Sequence, residues 1–585
     1  MTADPTRENS DSTFTGGPAA SATSRPRRVT GTPSTMGDDI QLNTTTLIRH
    51  AARTYGEQEI IYRTADDGWA RTTYADEYDR IQRGANMLTD LGIGPGDRVG
   101  VLDWNSRRHF ELYWSIPGTG AAMIQLNLRL GPEDLGFVLS DSGTSVVFVD
   151  ETLLPVAEAV ASAAAQVRTW VVMSDRPLTE IDTSLDNVVH FEDLLAAADA
   201  TFDWPEITED SAFAACYTTG TTGKPKGVFY SHRSICLHTF ALTQGVGLGA
   251  DDCVMLITPM FHGSGWGLPQ GAVYNSAKIV LPGRYRAEDT GPLVDAMAAE
   301  GVTVANGAPA IFNPMVDHIR TMDPRPDFRG ARFMSGATEP SLTLMRDLDE
   351  LSGAEVVHAY GATETSPLVT LNRFKPSVRK ELSEDDLFEL KRKQGLPVTG
   401  VDIVLLDGIG NAAPFDGKSQ GEICVRGPWI TATYNGMSED ELEGRFIDGY
   451  WRSGDVGTID EHGYLKVTDR IKDVIKSGGE WISSIDMENL LLGHSDIADA
   501  VVVGLSHPKW QERPFVLAVP KPGHSIDLAS VHAHLSTAFA SWQLPEAIEV
   551  VDEIPRTTVG KFDKKRIRSE YADYYEIRTP KGTAE

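Results

Sequence analysis

The run of residues richest in chemical consequence is Tyr217-Thr-Thr-Gly-Thr-Thr-Gly-Lys-Pro-Lys-Gly-Val228, which follows an apolar stretch. Gly220, Gly223 and Gly227 let the main chain approach a ligand closely, and the hydroxyls of Thr218, Thr219, Thr221 and Thr222 can donate to phosphate oxygens. Lys226 adds a charge-assisted contact to the same anion. The spacing differs from the Walker A loop: Gly220 and Gly223 are too close together, and Pro225 stands where a metal-binding Ser or Thr is needed. A plain flexible linker is the alternative, but linkers do not alternate Thr and Gly so densely.

Further along, Glu364 sits in Tyr360-Gly-Ala-Thr-Glu-Thr365, and Asp455 closes Tyr450-Trp-Arg-Ser-Gly-Asp455. An ionised carboxylate has two acceptor oxygens, so Asp455 suits the paired hydroxyls of a ribose; an Asp after Ser-Gly is also an ordinary turn former. The C-terminal part carries Asp469-Arg-Ile-Lys-Asp473, Lys476-Ser-Gly-Gly-Glu480 and Pro555-Arg-Thr-Thr-Val-Gly-Lys561. Alone, Lys561 would be one more lysine beside Lys564 and Lys565; its motif singles it out.

These motifs, five when Asp469–Asp473 and Lys476–Glu480 are taken together, resemble in type and order those of the adenylate-forming enzymes: acyl- and aryl-CoA synthetases, luciferases and adenylation domains. More narrowly, Pro259-Met-Phe-His-Gly-Ser-Gly-Trp-Gly-Leu-Pro269, Gly427-Pro-Trp-Ile430, Ser477-Gly-Gly-Glu-Trp-Ile-Ser-Ser484 and His507-Pro-Lys-Trp-Gln-Glu-Arg-Pro514 are similar to bacterial medium- and long-chain fatty acyl-CoA synthetases and their relatives acting on methylthiopropionate.

The resemblance implies an acid–thiol ligase. A carboxylate attacks the α-phosphorus of ATP, giving acyl-AMP and pyrophosphate; coenzyme A then takes the acyl group and AMP leaves. Both first reactants are anions, so magnesium is implied, held or oriented by Thr218 and Glu364. Nucleotide contacts are implied for Thr218, Thr219, Gly220, Thr221, Thr222, Gly223 and Lys226, for Ser335, Gly336 and Ala337, and for His358, Tyr360, Gly361, Thr363 and Glu364. Asp455, Arg470, Lys472 and Lys476 complete that set. Lys561 is implied to meet the charge developing during adenylation. His262 is expected beside the carboxylate and Trp266 at the acyl pocket. Rotation at Lys472 would withdraw Lys561 and bring Gly478, Gly479 and Trp481 to the site for coenzyme A.

Three departures touch the pocket. Gly263-Ser264-Gly265 replaces a bulkier Val-Asn-Ala type, His358-Ala359 replaces Gln-Gly, and Ser335-Gly336-Ala337 differs from Gly-Gly-Ser/Ala. The acid is therefore open: a medium- or long-chain fatty acid, or a short or substituted one. An adenylate passed to a carrier protein is the further alternative.

The elements that must position these residues alternate short apolar runs with helix-length amphipathic segments from about residue 41 to 468. Arg98–Leu102, Val146–Val149 and Trp170–Met173 read as buried strands, Leu293–Glu300 as a helix ended by Gly301, and Val302–Val304 as the next strand. The alternation predicts an α/β domain of mainly parallel layered sheets. Shorter strands around Ile403–Leu406, Gly421–Val425 and Tyr464–Thr468 predict a small β subdomain. Residues 469–474 read as a hinge linker and 475–585 as a small mobile α+β domain. That domain has helices over 484–493 and 528–540 and strands at 500–503, 515–519 and 548–551. Residues 1–40, rich in Ser, Thr, Gly and Pro, read as a disordered tail.

Bulk properties exclude other classes. At 585 residues, more than one domain is expected. Fifty-three Lys and Arg against 83 Asp and Glu give a net charge of −30, which disfavours nucleic acid and anionic membranes as partners. Sites for ATP and coenzyme A must then be built locally, from backbone N–H groups, a few basic side chains and a metal. Cys216, Cys236, Cys253 and Cys424 lack CxxC spacing and read as buried thiols. No apolar run reaches the roughly 18 residues of a membrane span, and Arg27-Arg28 is not followed by an apolar signal segment, so a cytoplasmic protein is expected. No Gly-x-Ser-x-Gly elbow precedes a suitable helix and no HExxH is present, so neither a serine hydrolase nor a zinc enzyme is supported. A homodimer is expected from the resemblance alone.

Overall fold

The computed structural model describes residues 29–37, 39–218, 224–407, 409–477, 480–556 and 562–575, with the side chain of Glu480 left aside. Thr219, Gly220, Thr221, Thr222, Gly223, Gly478, Gly479 and Lys561 lie outside the described residues, as do 1–28 of the expected tail. Residues 29–37 and 39–40 form no helix or strand and are exposed.

Two large sheets dominate. One has seven strands in the order Val188–His190, Thr169–Met173, Val146–Asp150, Arg98–Leu102, Ala122–Gln125, Ala212–Thr218 and Lys226–Ser231. All neighbours are parallel except the last pair, which is antiparallel. The other has nine strands with a parallel centre, Glu355–Gly361, Arg332–Ser335, Val304–Gly307, Cys253–Met255, Lys278–Leu281 and Glu59–Arg63. Antiparallel strands flank that centre on both sides.

Central strands such as Val146–Asp150 and Thr169–Met173 are buried, mostly apolar runs, as expected of a parallel sheet covered on both faces. The largest core joins the sheets. Val99, Val101, Met123 and Phe213 of one, and Val254, Ile279 and Met334 of the other, pack with helices Tyr74–Asp90, Arg107–Gly118 and His232–Val246. Burying each large apolar side chain is worth about 1.5–3 kcal/mol. The helices start where the chain supplies caps: Thr73, Ser106 and Ser231 accept from the amides of Asp76, His109 and Ser234.

The β subdomain consists of Asp402–Leu406, Gly421–Arg426, Tyr450–Ile459, Phe446–Ile447 and Leu465–Arg470, all antiparallel. Its last strand runs through Asp469 and Arg470, two residues the sequence reading placed in the linker. Arg470 pairs with Asp455, and Asp469 accepts from the Ser484 amide and hydroxyl, both at 2.6 Å, tying this strand to the helix Ser484–Leu492.

The C-terminal sheet holds Ile475–Ser477, Glu480–Ile482, Ile497–His507, Gln511–Pro520 and Ala547–Val550. The expected helix 528–540 is shorter, Leu528–Leu535. Beyond it, the Ser536 and Thr537 hydroxyls donate to the His532 and His534 carbonyls at 2.7 Å. The helix Gly291–Glu300 ends at Gly301 (φ +67°) as expected, but the following strand starts at Val304. Among the described residues, no helix is long and apolar enough to cross a membrane. All four cysteines are buried thiols.

Candidate active site

A cleft of about 680 Å3 opens where strand ends of both large sheets meet the β subdomain. Thr218 ends Ala212–Thr218, Gly336 and Ala337 follow Arg332–Ser335, and Tyr360 and Gly361 end Glu355–Gly361. The carboxyl edge of parallel strands is where open α/β sheets bind ligands. Lys226, His262, Trp266, Thr363, Glu364, Asp455, Arg470 and Lys472 line the same cleft. Residues spread over more than two hundred positions thus converge on one space.

Glu364 sits on the one-turn helix Thr363–Thr365, pinned by the Tyr230 hydroxyl on the Thr363 carbonyl (2.8 Å) and the Thr431 amide on its own carbonyl (2.8 Å). Its carboxylate accepts from the Tyr434 hydroxyl at 2.9 Å. Burial pushes the Glu364 carboxyl above the ordinary carboxylate range, opposed by the Tyr434 hydrogen bond and by Lys226. Burial also lowers Lys226, with Arg445 adding to the effect, and lowers Lys472.

Asp455 lies beside a break in strand register at Val456/Gly457, a bulge that re-aims its neighbour. Tyr360 donates to it at 2.7 Å and the Arg470 guanidinium stands 3.4 Å away.

At the other end, residues 263–267 trace five consecutive left-handed conformations, with φ between +49° and +75°. Three are glycines; Ser264 and Trp266 carry the strain, at about 1–2 kcal/mol each. The Asn306 amide holds the turn through the Gly265 carbonyl at 2.9 Å. A Cβ on Gly336 would stand 2.8 Å from the tip of the Trp266 ring, so the indole packs directly on the Gly336 backbone.

Three residues expected at the nucleotide, Ser335, His358 and Lys476, do not line the cleft, nor does Trp481, which is expected there only after rotation at Lys472. Ser335 and His358 are opposite each other on adjacent strands and buried beneath its floor, because strand side chains alternate and Gly336 and Ala359 take the open face. The His358 Nδ1 lies 2.7 Å from the Arg392 carbonyl, and burial pulls its pKa down to about 4, so it is neutral. Lys476 and Trp481 pair across the hairpin of Ile475–Ser477 and Glu480–Ile482. Tyr434, Arg445, Trp451 and Asn127 line the cleft but were not anticipated. Trp451 stood inside a motif already singled out, whereas nothing local marked the others.

Among the described residues no cluster of three or more His, Cys, Asp or Glu forms a metal cage. Glu364 with the Thr218 hydroxyl fits a magnesium ion that keeps its waters and substrate phosphates as its other ligands.

Residues 48–435 match the AMP-binding enzyme family and 486–561 the AMP-binding enzyme C-terminal domain. A long-chain-fatty-acid–CoA ligase of Thermus thermophilus is 40% identical over 94% of this chain and 99% of its own. A 3-methylmercaptopropionyl-CoA ligase of Ruegeria lacuscaerulensis is 37% identical over 90% and 97%. The crystal structure of the anthranilate CoA ligase AuaEII with anthranoyl-AMP shares the fold at a TM-score of 0.77, covering 92% of this chain and 98% of that one at 21% identity. The chain belongs to the AMP-binding, adenylate-forming enzyme family.

Proposed function

We propose that this AMP-forming acyl-CoA synthetase uses the cleft to join a fatty acid to coenzyme A. What supports the reading most is the meeting, in one cleft, of the phosphate-loop end at Thr218 and Lys226, the Glu364 carboxylate and the Asp455 acceptor. The ribose hydroxyls donate to Asp455, with Arg470 alongside. The triphosphate lies between the loop, Lys226 and Glu364, and the acid lies beside His262 and Trp266. Magnesium, held by Glu364 and Thr218, would neutralise phosphate charge so that a carboxylate can approach. The acid's oxygen attacks the α-phosphorus, the bond to the β-phosphate oxygen breaks and pyrophosphate leaves. Lys561, on its motif, supports the charge of that step. The C-terminal domain then turns about Lys472, carrying Gly478, Gly479 and Trp481 to the site. The thiol attacks the acyl carbon, giving its proton to solvent, and AMP leaves.

One observation favours a second reading of the acid. The Trp266 indole packs on Gly336 in the cleft lining, and a bulky ring there suits a short or substituted acid such as the substrate in the Ruegeria relative's name. An adenylate handed to a carrier protein is kept as the remaining alternative. We place the enzyme in the cytoplasm, acting without nucleic acid, as a homodimer with a mobile C-terminal domain.

The test is AMP formation with ATP, magnesium and coenzyme A across straight-chain acids from two to eighteen carbons, methylthiopropionate and benzoate. A maximum at six carbons or more supports the fatty-acid reading, and a maximum at short or substituted acids replaces it. No AMP with any acid overturns both.

A further inference from the structure

The segment Thr431–Asn435 touches both halves of the phosphate site. At one end, the Thr431 amide donates to the Glu364 carbonyl and the Tyr434 hydroxyl to the Glu364 carboxylate, at 2.8 and 2.9 Å. At the other, the Asn435 amide donates to the Gly227 carbonyl at 2.9 Å. The Asn435 side chain and the Tyr217 hydroxyl share one oxygen of Asp141, at 3.0 and 2.7 Å. Tyr217 and Gly227 face each other where the two strands lead into and out of the threonine–glycine loop. The segment is therefore a strap that fixes the Glu364 turn against the base of that loop.

Tyr434 is its central member. It is 5% exposed, receives the Trp451 indole N–H at 3.0 Å and passes its own proton toward Glu364. Lys226 and Arg445 both stand over its ring, at 5.5 and 5.9 Å. One phenol thus contacts the carboxylate, two cations and an indole, and its hydroxyl orientation is dictated from both sides. A residue that only filled space here would need no hydroxyl.

We propose that Tyr434 is a positioning residue that orients the Glu364 carboxylate toward the nucleotide's phosphates and their metal. This rests on the ligase reading for the step it serves, but not for the geometry it sets. Tyr434→Phe keeps the ring under Lys226 and Arg445 and removes only the hydroxyl, with its bond to Glu364 and the one it accepts from Trp451.

Two readouts separate positioning from structural support. The first is Mn2+ affinity in the complex with a non-hydrolysable ATP analogue, followed by electron paramagnetic resonance, with no turnover. The second is acid-dependent ATP–pyrophosphate exchange against magnesium and against acid. We expect Tyr434→Phe to weaken Mn2+ binding and raise half-saturating magnesium by roughly 10-fold, as outer-shell changes at metal ligands do. The KM for the acid and kcat at saturating magnesium should change less than about 2-fold. Trp451→Phe, which removes the donor to the Tyr434 hydroxyl, should move both metal readouts the same way by less, and it carries the test if Tyr434→Phe does not fold. Unchanged metal readouts in the folded variants, or a uniform loss in every parameter together with a lowered Tm, overturn the proposal. If the wild-type protein shows no exchange with any acid, the ligase reading fails while the Mn2+ measurement still decides the role of Tyr434.

Discussion

The cleft and the C-terminal hairpin are built on opposite terms. At the cleft, Asp455, Glu364 and Trp266 hang from strands or tight turns and are held by named partners: Asp455 by Tyr360 and Arg470, Glu364 by Tyr434, Trp266 by the left-handed turn and Gly336. On the C-terminal side, Lys476 and Trp481 pair with each other across a hairpin and do not line the cleft. Polar contacts join the regions, among them Asp469 with Ser484, Lys466 with Asp486 at 2.8 Å, and the Asp473–Arg568 ion pair. A pre-organised site beside a domain able to turn is what the two proposed half-reactions need. The first demands fixed geometry, and the second demands that one wall be exchanged.

That contrast can be broken by variants on each side. Lys561→Ala should slow acid-dependent ATP–pyrophosphate exchange by about 10²–10³-fold, the scale of losing a transition-state donor, and spare thioester formation from supplied acyl-AMP. Equal loss in both half-reactions would erase the distinction between the regions. Glu364→Gln should cost roughly 10–100-fold in kcat/KM for ATP, read as raised magnesium demand in the exchange assay. Asp455→Asn should raise the KM for ATP by roughly 10-fold and weaken acyl-AMP in both half-reactions alike, since a lost hydrogen bond to a charged group is worth about 1.5–3 kcal/mol.

Gly336→Ala tests the acyl end. The added Cβ meets the Trp266 ring tip at 2.8 Å, and overpacking of that kind costs about 1–3 kcal/mol. The expected outcome is a changed chain-length profile, measured across the acid series.

The smallest effect concerns the floor. His358, with its pKa down at about 4, binds fewer protons folded than unfolded between that value and about 6.5. Its contribution is therefore present above pH 6.5 and is lost as pH falls toward 4. His358→Gln should flatten that part of the Tm-against-pH curve by about one proton's worth of slope.

The sequence made most of the cleft legible because its chemistry demands particular residue types at short spacing, as in the Thr218–Lys226 loop, the Tyr360–Thr365 turn and the Tyr450–Asp455 strand. Layering was legible from apolar runs such as Val146–Val149. What stayed hidden depends on long-range partners or local geometry. Tyr434 acts on a carboxylate 70 residues away, and Asn435 meets Asp141 across 294. The inward turn of Ser335 and His358 follows from strand alternation in a register that only pairing defines. The left-handed course of residues 263–267 was hinted at by Gly-Ser-Gly-Trp-Gly, but a reading of pocket width alone passed over it. The end of the helix at Leu535 leaves no mark in the apolar periodicity, which continues to Phe539.

The central claim is that one cleft first makes acyl-AMP and then releases AMP to form a thioester. It is tested most directly by following ATP–pyrophosphate exchange and AMP formation in one preparation, with the best acid, before and after adding coenzyme A. The account predicts acid-dependent exchange without coenzyme A, then AMP and acyl-CoA in equal amounts once it is added. Release of ADP and phosphate, or exchange that never yields acyl-CoA, would contradict it.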